Sequence, residues 1–200
     1  MPQDWTQATD PLALFLAWFE EAKASEPDDP EAMCLATVDA DGLADLRMLL
    51  CKGADERGLT FYTNAESAKG RELAANPRAA ALFHWKSLRR QVRFRGAVSG
   101  LSDAEADEYF SSRPRVSQLG AIASQQSRPL KDRAALEEAV EALERRHAGG
   151  PVPRPAHWRG FLLIPMEIEF WRDGAFRLHD RVRFTRRAEG EAWSGQRLYP

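Results

Sequence analysis

The segment Phe176-Arg177-Leu178-His179-Asp180-Arg181-Val182-Arg183-Phe184 gathers groups able to do chemistry near neutral pH. Read as a strand, its side chains alternate between two faces. Phe176, Leu178, Val182 and Phe184 then share a core face, and Arg177, His179, Arg181 and Arg183 share the other. Guanidiniums so placed repel one another unless an anion or carboxylates lie opposite, and an imidazole among them can move a proton near neutrality. A solvated face of a half-buried strand accounts for the same spacing equally well. Asp180 interrupts the apolar face and belongs at a sheet edge or beside a cation. A second basic run, Arg89 to Arg95, sets Gln91, Arg93 and Arg95 against Val92 and Phe94. Its aromatic interleaving invites an RNA-binding reading, but an exposed strand face fits the overall charge better.

Two further groupings suit anions. Asn64-Ala65-Glu66-Ser67-Ala68-Lys69 opens a helix directly after a strand, where free N–H groups and a lysine can seat a phosphate. An ordinary helix cap explains it as well. Tyr109 and Arg113 stand one helical turn apart, and Ser117 follows across Pro114. A phenol, a guanidinium and a hydroxyl can cradle a phosphate, and helix-end surface residues are the bland alternative. The four histidines lack metal-ligand spacing. Cys34 and Cys51 read as buried small hydrophobes. Neither a Gly-rich dinucleotide motif nor a serine nucleophile elbow is present.

The elements that must position these groups are legible along the chain. Asp10 caps a helix that begins at Pro11, with Leu14, Phe15, Trp18, Phe19 and Ala22 at helical spacing. Strands are expected at 32–38, 47–52 and 59–63, with a turn at Asp39-Ala40-Asp41-Gly42. A helix from Asn64 to Asn76 and strands at 79–85 and 91–98 follow. Ser102-Asp103-Ala104-Glu105 has capping-box spacing, and the helix it opens should stop near Arg113, before Pro114. Another helix is expected from Lys131 to His147, with Leu136, Val140 and Leu143 on one face. Strands at 160–171, 176–184 and 192–198 close the chain. Irregular strand–helix alternation argues for an α+β, mainly β, barrel-type domain over residues 1–200, with a flexible start at 1–9.

The 200 residues carry 28 basic and 30 acidic side chains, a net charge of −2. That excludes gripping nucleic acid through bulk charge. With 44% hydrophobic residues there is enough apolar material for a core. No apolar run is long enough to span a bilayer, and two cysteines make no disulfide framework. No membrane partner is expected, and a reducing cytoplasm is the expected setting.

In order along the chain stand Arg47-Met48-Leu49-Leu50-Cys51-Lys52, Phe61-Tyr62-Thr63-Asn64, Arg90-Gln91-Val92, Tyr109-Phe110-Ser111-Ser112-Arg113-Pro114 and Gln126-Ser127. Phe170-Trp171, Arg177-Leu178-His179-Asp180-Arg181 and Arg197-Leu198-Tyr199-Pro200 complete the series. From about Asp10 to Pro200 this resembles the pyridoxamine 5′-phosphate oxidase family. The resemblance implies an FMN-binding split β-barrel and a homodimer with a flavin cleft at each side of its interface. It also implies oxidation of pyridoxamine or pyridoxine 5′-phosphate to pyridoxal 5′-phosphate, with molecular oxygen as acceptor and hydrogen peroxide as by-product. FMN contacts are then expected from Arg47, Met48, Leu49, Leu50, Cys51, Lys52, Tyr62, Thr63, Lys69, Gln91, Gln126, Ser127, Trp171 and Arg181. The substrate phosphate should meet Lys52, Tyr109, Arg113 and Ser117, with Arg177 and His179 flanking the reacting carbon. Arg47 and Lys52 fall on opposite faces of a regular strand, so serving one site requires a bulge or a strand end. The chain departs from the family at Ala68, where an arginine is usual, at Cys51 for leucine, and at Ile122 for tryptophan. Two other readings are a split-barrel flavoprotein with a different substrate and a non-catalytic flavin- or RNA-binding module.

Overall fold

Asp10 receives the amides of Leu12 and Ala13 at 3.0 and 3.1 Å, starting α1 (Pro11–Ser25) as expected. Its stripe of Leu14, Phe15, Trp18, Phe19 and Ala22 is buried. The computed structural model describes residues 4–200. Trp5 and Thr6 are buried and Trp5 packs edge-on against Trp18 at 5.0 Å. The expected flexible start at 1–9 thus includes residues packed on α1, and its residues 1–3 lie outside the described residues.

The strands are β1 (Ala32–Val38), β2 (Ala44–Leu50), β3 (Gly53–Asp55), β4 (Gly58–Asn64), β5 (Arg78–Trp85), β6 (Arg90–Gly100), β7 (Trp158–Arg172), β8 (Asp180–Thr185) and β9 (Ser194–Leu198). Between them lie α2 (Ala68–Ala75), α3 (Asp103–Ser112), α4 (Arg115–Ala123) and α5 (Arg133–Arg146). All strand pairs are antiparallel. The order is β2-β1-β5-β6-β7-β4-β3, with β8 on β7 and β9 on β8. The long β7 runs beside β6 on one edge; on its other edge β4 pairs with its first half and β8 with its second. The sheet therefore splits at that edge and curls into an open half-barrel. Phe15, Phe83, Phe94 and Phe170 fill it at 0% exposure. Among the described residues, no helix is long and apolar enough to cross a membrane.

Several boundaries differ from expectation for local reasons. Asn64 ends β4, still opposite Trp158, and its side chain accepts the Glu66 amide at 2.7 Å in a turn. Ser67, not Asn64, caps α2, accepting from Gly70 N–H at 3.2 Å. β2 lies three residues earlier than expected, because Ala44 already pairs with Val38 and the ladder ends at Leu50 opposite Ala32. At Asp39–Leu43 the turn is held by Asp39, which accepts from Asp41 and Leu43, with Gly42 at φ +86°. The expected strand 176–184 begins only at Asp180. Phe176 and Leu178 are 93% and 72% exposed rather than in the core, while Val182 and Phe184 are buried. Phe176 and Arg177 take positive φ, +57° and +66°, in a tight turn that breaks the alternation.

Candidate active site

Pro114 joins α3 to α4 and the corner places Arg113 over a flat aromatic stack. Tyr62 of β4 lies against Tyr109 of α3 at 4.1 Å and against Trp158 of β7 at 5.1 Å, all nearly parallel. The stack can lie flat because residue 160 is glycine: a Cβ there would stand 2.7 Å from the Tyr62 ring. The Arg113 guanidinium sits 4.9 Å above the Trp158 ring, and its Nη1 is buried without a hydrogen-bond partner. Burial pulls the Arg113 pKa below its ordinary value and pushes the phenols of Tyr62 and Tyr109 up. Ser117, on the first turns of α4, lines the same cleft of about 430 Å³ together with Arg113 and Tyr62. One helix corner thus brings Tyr109, Arg113 and Ser117 together, with Arg113 and Ser117 lining the cleft and Tyr109 stacked on its Tyr62 wall.

Lys69 enters the other side of this cleft. Its ammonium is 3.1 Å from Gln126 Oε1, 3.4 Å from Thr63 Oγ1 and 3.5 Å from Ser67 Oγ, all neutral oxygens. Among the described residues no carboxylate pairs with it. Burial, then the neighbouring Arg47 charge, lower its pKa. Ala68 and Lys69 also carry the first N–H groups of α2, which have no acceptor within a helix. The residues present therefore fit an anionic phosphate: a buried ammonium is not paired with a carboxylate, Glu72 and Asp45 acting on it only from beyond ion-pair distance, and a guanidinium nitrogen is orphaned. Arg71 does not stand in for the missing arginine at 68, because its guanidinium folds back onto the Glu66 carbonyl.

Of the expected Arg47–Lys52 group, Met48 and Leu49 line the cleft, and Leu50 and Cys51 do not. Cys51 is buried against the Gly53 carbonyl and burial pushes its thiol up to about 11, so it is inert. Arg47 has carboxylate partners, Asp45 at 2.6 Å and Glu72 at 3.2 Å. Lys52 lies past the end of β2; its amide donates to Thr60 of β4 and its ammonium is 3.6 Å from Glu31. The strand end that the spacing demanded is there, but it does not bring Arg47 and Lys52 together within one chain. Thr63 and Gln126 are joined at 3.1 Å, and Ser127 follows in a left-handed turn.

Gln91, Trp171 and Arg181 form a second cleft, of about 270 Å³, on the sheet face opposite the core. The His179 ring packs 4.7 Å from Trp171, and its Nδ1 is 3.1 Å from both Asp173 Oδ1 and the Gly174 amide. Arg177 is exposed on the preceding turn. The expectation that Arg177, His179, Arg181 and Arg183 share one strand face is therefore corrected. Only Arg181 and Arg183 lie on β8, because the turn at 175–178 rotates the others away. Asp180 pairs with Arg172 and Arg197, the cation-paired of the two placements expected for it, on a strand that lies between β7 and β9. Arg93 and Arg95 are balanced by Glu169 and Glu167 of β7, which explains the basic strand without a polyanion.

The Tyr62 wall of the first cleft and the Trp171 wall of the second are far apart along β7, although Met48 of the first and Leu82 of the second flank Cys34 on either side of β1. Tyr62 is opposite Gly160 on β7, and Trp171 lies further along the same strand, at ~3.3 Å per residue about 36 Å of strand. The edge strand β2 meanwhile exposes Leu46 and Met48 at 63% and 64%, an apolar edge that monomers avoid.

Spacing did not reveal α4, which has no side-chain cap and buries only Gln118 and Leu119. Nor did it reveal Gln118, whose amide donates to the carbonyls of Phe110, Ser111 and Arg113 at 3.0–3.2 Å and so clamps the α3–α4 corner. Its only signal is a glutamine four residues past a proline. Gln118→Ala strands those buried carbonyls, at about 1–3 kcal/mol. The expected result is a thermal midpoint lowered by a few degrees; an unchanged midpoint would show that the clamp carries no stability.

Residues 19–147 match the family model described as pyridoxamine 5′-phosphate oxidase, and residues 158–200 match the pyridoxine 5′-phosphate oxidase C-terminal dimerisation region. A pyridoxine/pyridoxamine 5′-phosphate oxidase of Azorhizobium caulinodans is 61% identical over 98% of this chain and 93% of its own length. Its namesake from Gluconobacter oxydans is 59% identical over 96% and 94%. The structure of PhzG from Burkholderia lata, in complex with tetrahydrophenazine-1-carboxylic acid, superposes with a TM-score of 0.91 at 32% identity, covering 100% and 97%. An FMN-binding, pyridoxamine 5′-phosphate oxidase-related protein of Nostoc punctiforme has TM-score 0.76 at 18% identity, covering 98% and 100%, which shows the shared split-barrel fold. With both family models matched in sequence and the same open half-barrel beneath them, this chain belongs to the pyridoxamine 5′-phosphate oxidase family.

Proposed function

We propose that this chain is an FMN-dependent oxidase converting pyridoxamine 5′-phosphate and pyridoxine 5′-phosphate to pyridoxal 5′-phosphate, acting as a homodimer in the cytoplasm. The observation that carries it is two cations without a paired carboxylate, the buried Lys69 and the half-buried Arg113 with its orphaned Nη1, in one cleft walled by the Tyr62–Tyr109–Trp158 stack. Two phosphates, one from the flavin and one from the substrate, would supply both missing charges. Bound FMN would supply the hydride acceptor for the substrate's C4′ and hand the electrons to oxygen.

The protein's part is binding, orientation and proton movement. Lys69, with Thr63, Gln126, Ser127 and the start of α2, holds the flavin phosphate. Tyr109, Arg113 and Ser117 hold the substrate phosphate, remote from the reacting carbon, so that its binding energy keeps the ring in register. Gln91, Trp171 and Arg181 of a second copy meet the flavin ring, and Arg177 and His179 of that copy flank the substrate. This division is supported by the length of β7 between Gly160 and Trp171 and by the matched dimerisation region, which contains Trp171, Arg177, His179 and Arg181. Arg47 and Lys52 join the site with reoriented side chains, released from Glu72 and Glu31. Arg177 positions the substrate and stabilises charge, and His179 is the group there whose imidazole can take or give a proton. Unpaired Cys34 and Cys51 suit a reducing compartment.

The test combines light scattering with a visible spectrum of the protein purified in FMN, then peroxide release on adding pyridoxamine 5′-phosphate. A dimer with one flavin per chain and substrate-dependent peroxide is expected. A monomer that binds FMN at one per chain overturns the shared cleft, and flavin binding without turnover of either vitamer overturns the substrate.

A further inference from the structure

Glu169 is a carboxylate at 7% exposure on β7, and none of the site expectations includes it. Its Oε1 accepts from Arg181 Nε at 3.0 Å and Nη2 at 2.7 Å, and its Oε2 accepts from Arg93 Nη2 at 2.5 Å. The remaining Arg181 terminal nitrogen, Nη1, donates to the Tyr199 carbonyl at 2.9 Å. The strand register makes this choice of partner informative. Arg183 lies directly opposite Glu169, whereas Arg181 lies opposite Trp171. The carboxylate nonetheless takes the diagonal neighbour, and Arg183 turns to Gln196 at 3.4 Å. Arg181 is thereby held across the cleft that it shares with Gln91 and Trp171.

A guanidinium is planar with five N–H donors in a fixed fork. Glu169 and Tyr199 take three of them, which fixes the plane and leaves two to face the cleft. Without the carboxylate, Arg93 would keep only Glu167, at 3.7 Å, and Arg181 would have no carboxylate partner, leaving two neighbouring like charges on one sheet face to repel. We propose that Glu169 is a positioning residue: it orients Arg181, and restrains Arg93, so that the guanidinium meets the flavin ring with its geometry already set. The inference rests on the FMN reading above.

The experiment is a double-mutant cycle on the FMN dissociation constant, using wild type, Glu169→Gln, Arg181→Ala and the double variant in one buffer. Glu169→Gln keeps size and one acceptor but loses the charge. It should weaken FMN by ~10-fold or more, about 1.4 kcal/mol, and alter the visible circular dichroism of flavin bound at saturation. In the Arg181→Ala background the same change should cost less than about twofold, because its target is gone. Glu169→Asp should recover part of the affinity. Equal effects of Glu169→Gln in both backgrounds would overturn the proposal, as would an unchanged constant. Thermal midpoints of the flavin-free variants identify a folding failure; should Glu169→Gln not fold, the Glu169→Asp cycle carries the same two outcomes. A wild type that takes no FMN would fail at the first titration, and the inference would fall with the reading it rests on.

Discussion

Lys69→Met should weaken FMN binding about 10- to 150-fold, the worth of a charge-assisted contact of ~1.5–3 kcal/mol, while raising the thermal midpoint of the flavin-free protein. The two effects have one cause. The Lys69 ammonium is buried against neutral oxygens of Thr63, Ser67 and Gln126. Without an anion, the folded chain bears the desolvation cost of that charge; methionine, of similar length, does not. With FMN saturating, the wild type gains linkage stabilisation that the variant loses, so the order of midpoints reverses. The pH dependence follows in sign. Burial holds the Lys69 pKa below its ordinary value. Below that lowered pKa both states keep the proton and the cost is fully present. Between the lowered pKa and the ordinary lysine value, the unfolded chain binds more protons, so stability rises with pH. The difference between wild type and Lys69→Met should therefore shrink as pH climbs through that alkaline window. Midpoints measured across it on both proteins check this; a gap that widens, or FMN affinity equal in the two, would show that Lys69 is not an uncompensated cation in the cleft.

Much of this scaffold was legible because short-range chemistry sufficed. β1 spans Ala32–Val38 as expected, with buried and half-buried residues alternating, and the capping box at Ser102–Glu105 forms with both of its bonds. Reading failed where a local pattern had two uses. Asn64 and Ser67 are both cap-type residues, and the chain spends the first on a turn and the second on the helix. The alternation of Phe176 to Phe184 looked continuous, yet two left-handed residues interrupt it and leave Phe176 and Leu178 outside the core. In the site, residues joined by one local element were found together: Tyr109, Arg113 and Ser117 by a helix corner, Thr63 and Lys69 by a strand–helix junction. The pairing of Glu169 with Arg181 rather than Arg183 depends on tertiary register and could not be read from spacing. Nor could the separation of Tyr62 from Trp171, which depends on β4 pairing with the opposite end of β7 from the one that carries Trp171. It is one of the features on which the proposal of a site shared with a second copy rests.

Arg113→Ala should raise the KM for phosphorylated substrate about 10- to 150-fold, again the worth of ~1.5–3 kcal/mol in a charge-assisted contact, and leave the KM for unphosphorylated pyridoxamine nearly unchanged. The orphaned Nη1 is the reason to expect the upper part of that range. A buried donor without a protein partner has already lost its water, so a phosphate oxygen reaching it gains the bond without a further desolvation cost on the protein's side. Removing the side chain also removes a guanidinium stacked 4.9 Å from Trp158, so some loss of packing is expected in the thermal midpoint. Arg113→Lys separates the two roles. It keeps a charge but neither the planar fork nor the stack, so KM should fall between wild type and alanine while the midpoint follows alanine. Steady-state kinetics on pyridoxamine with and without its phosphate, for all three proteins, decide the matter. If alanine raises KM equally for both substrates, Arg113 shapes the pocket rather than binding phosphate. If it raises neither, the orphaned nitrogen faces no substrate, and the cradle at the α3–α4 corner is not the phosphate seat.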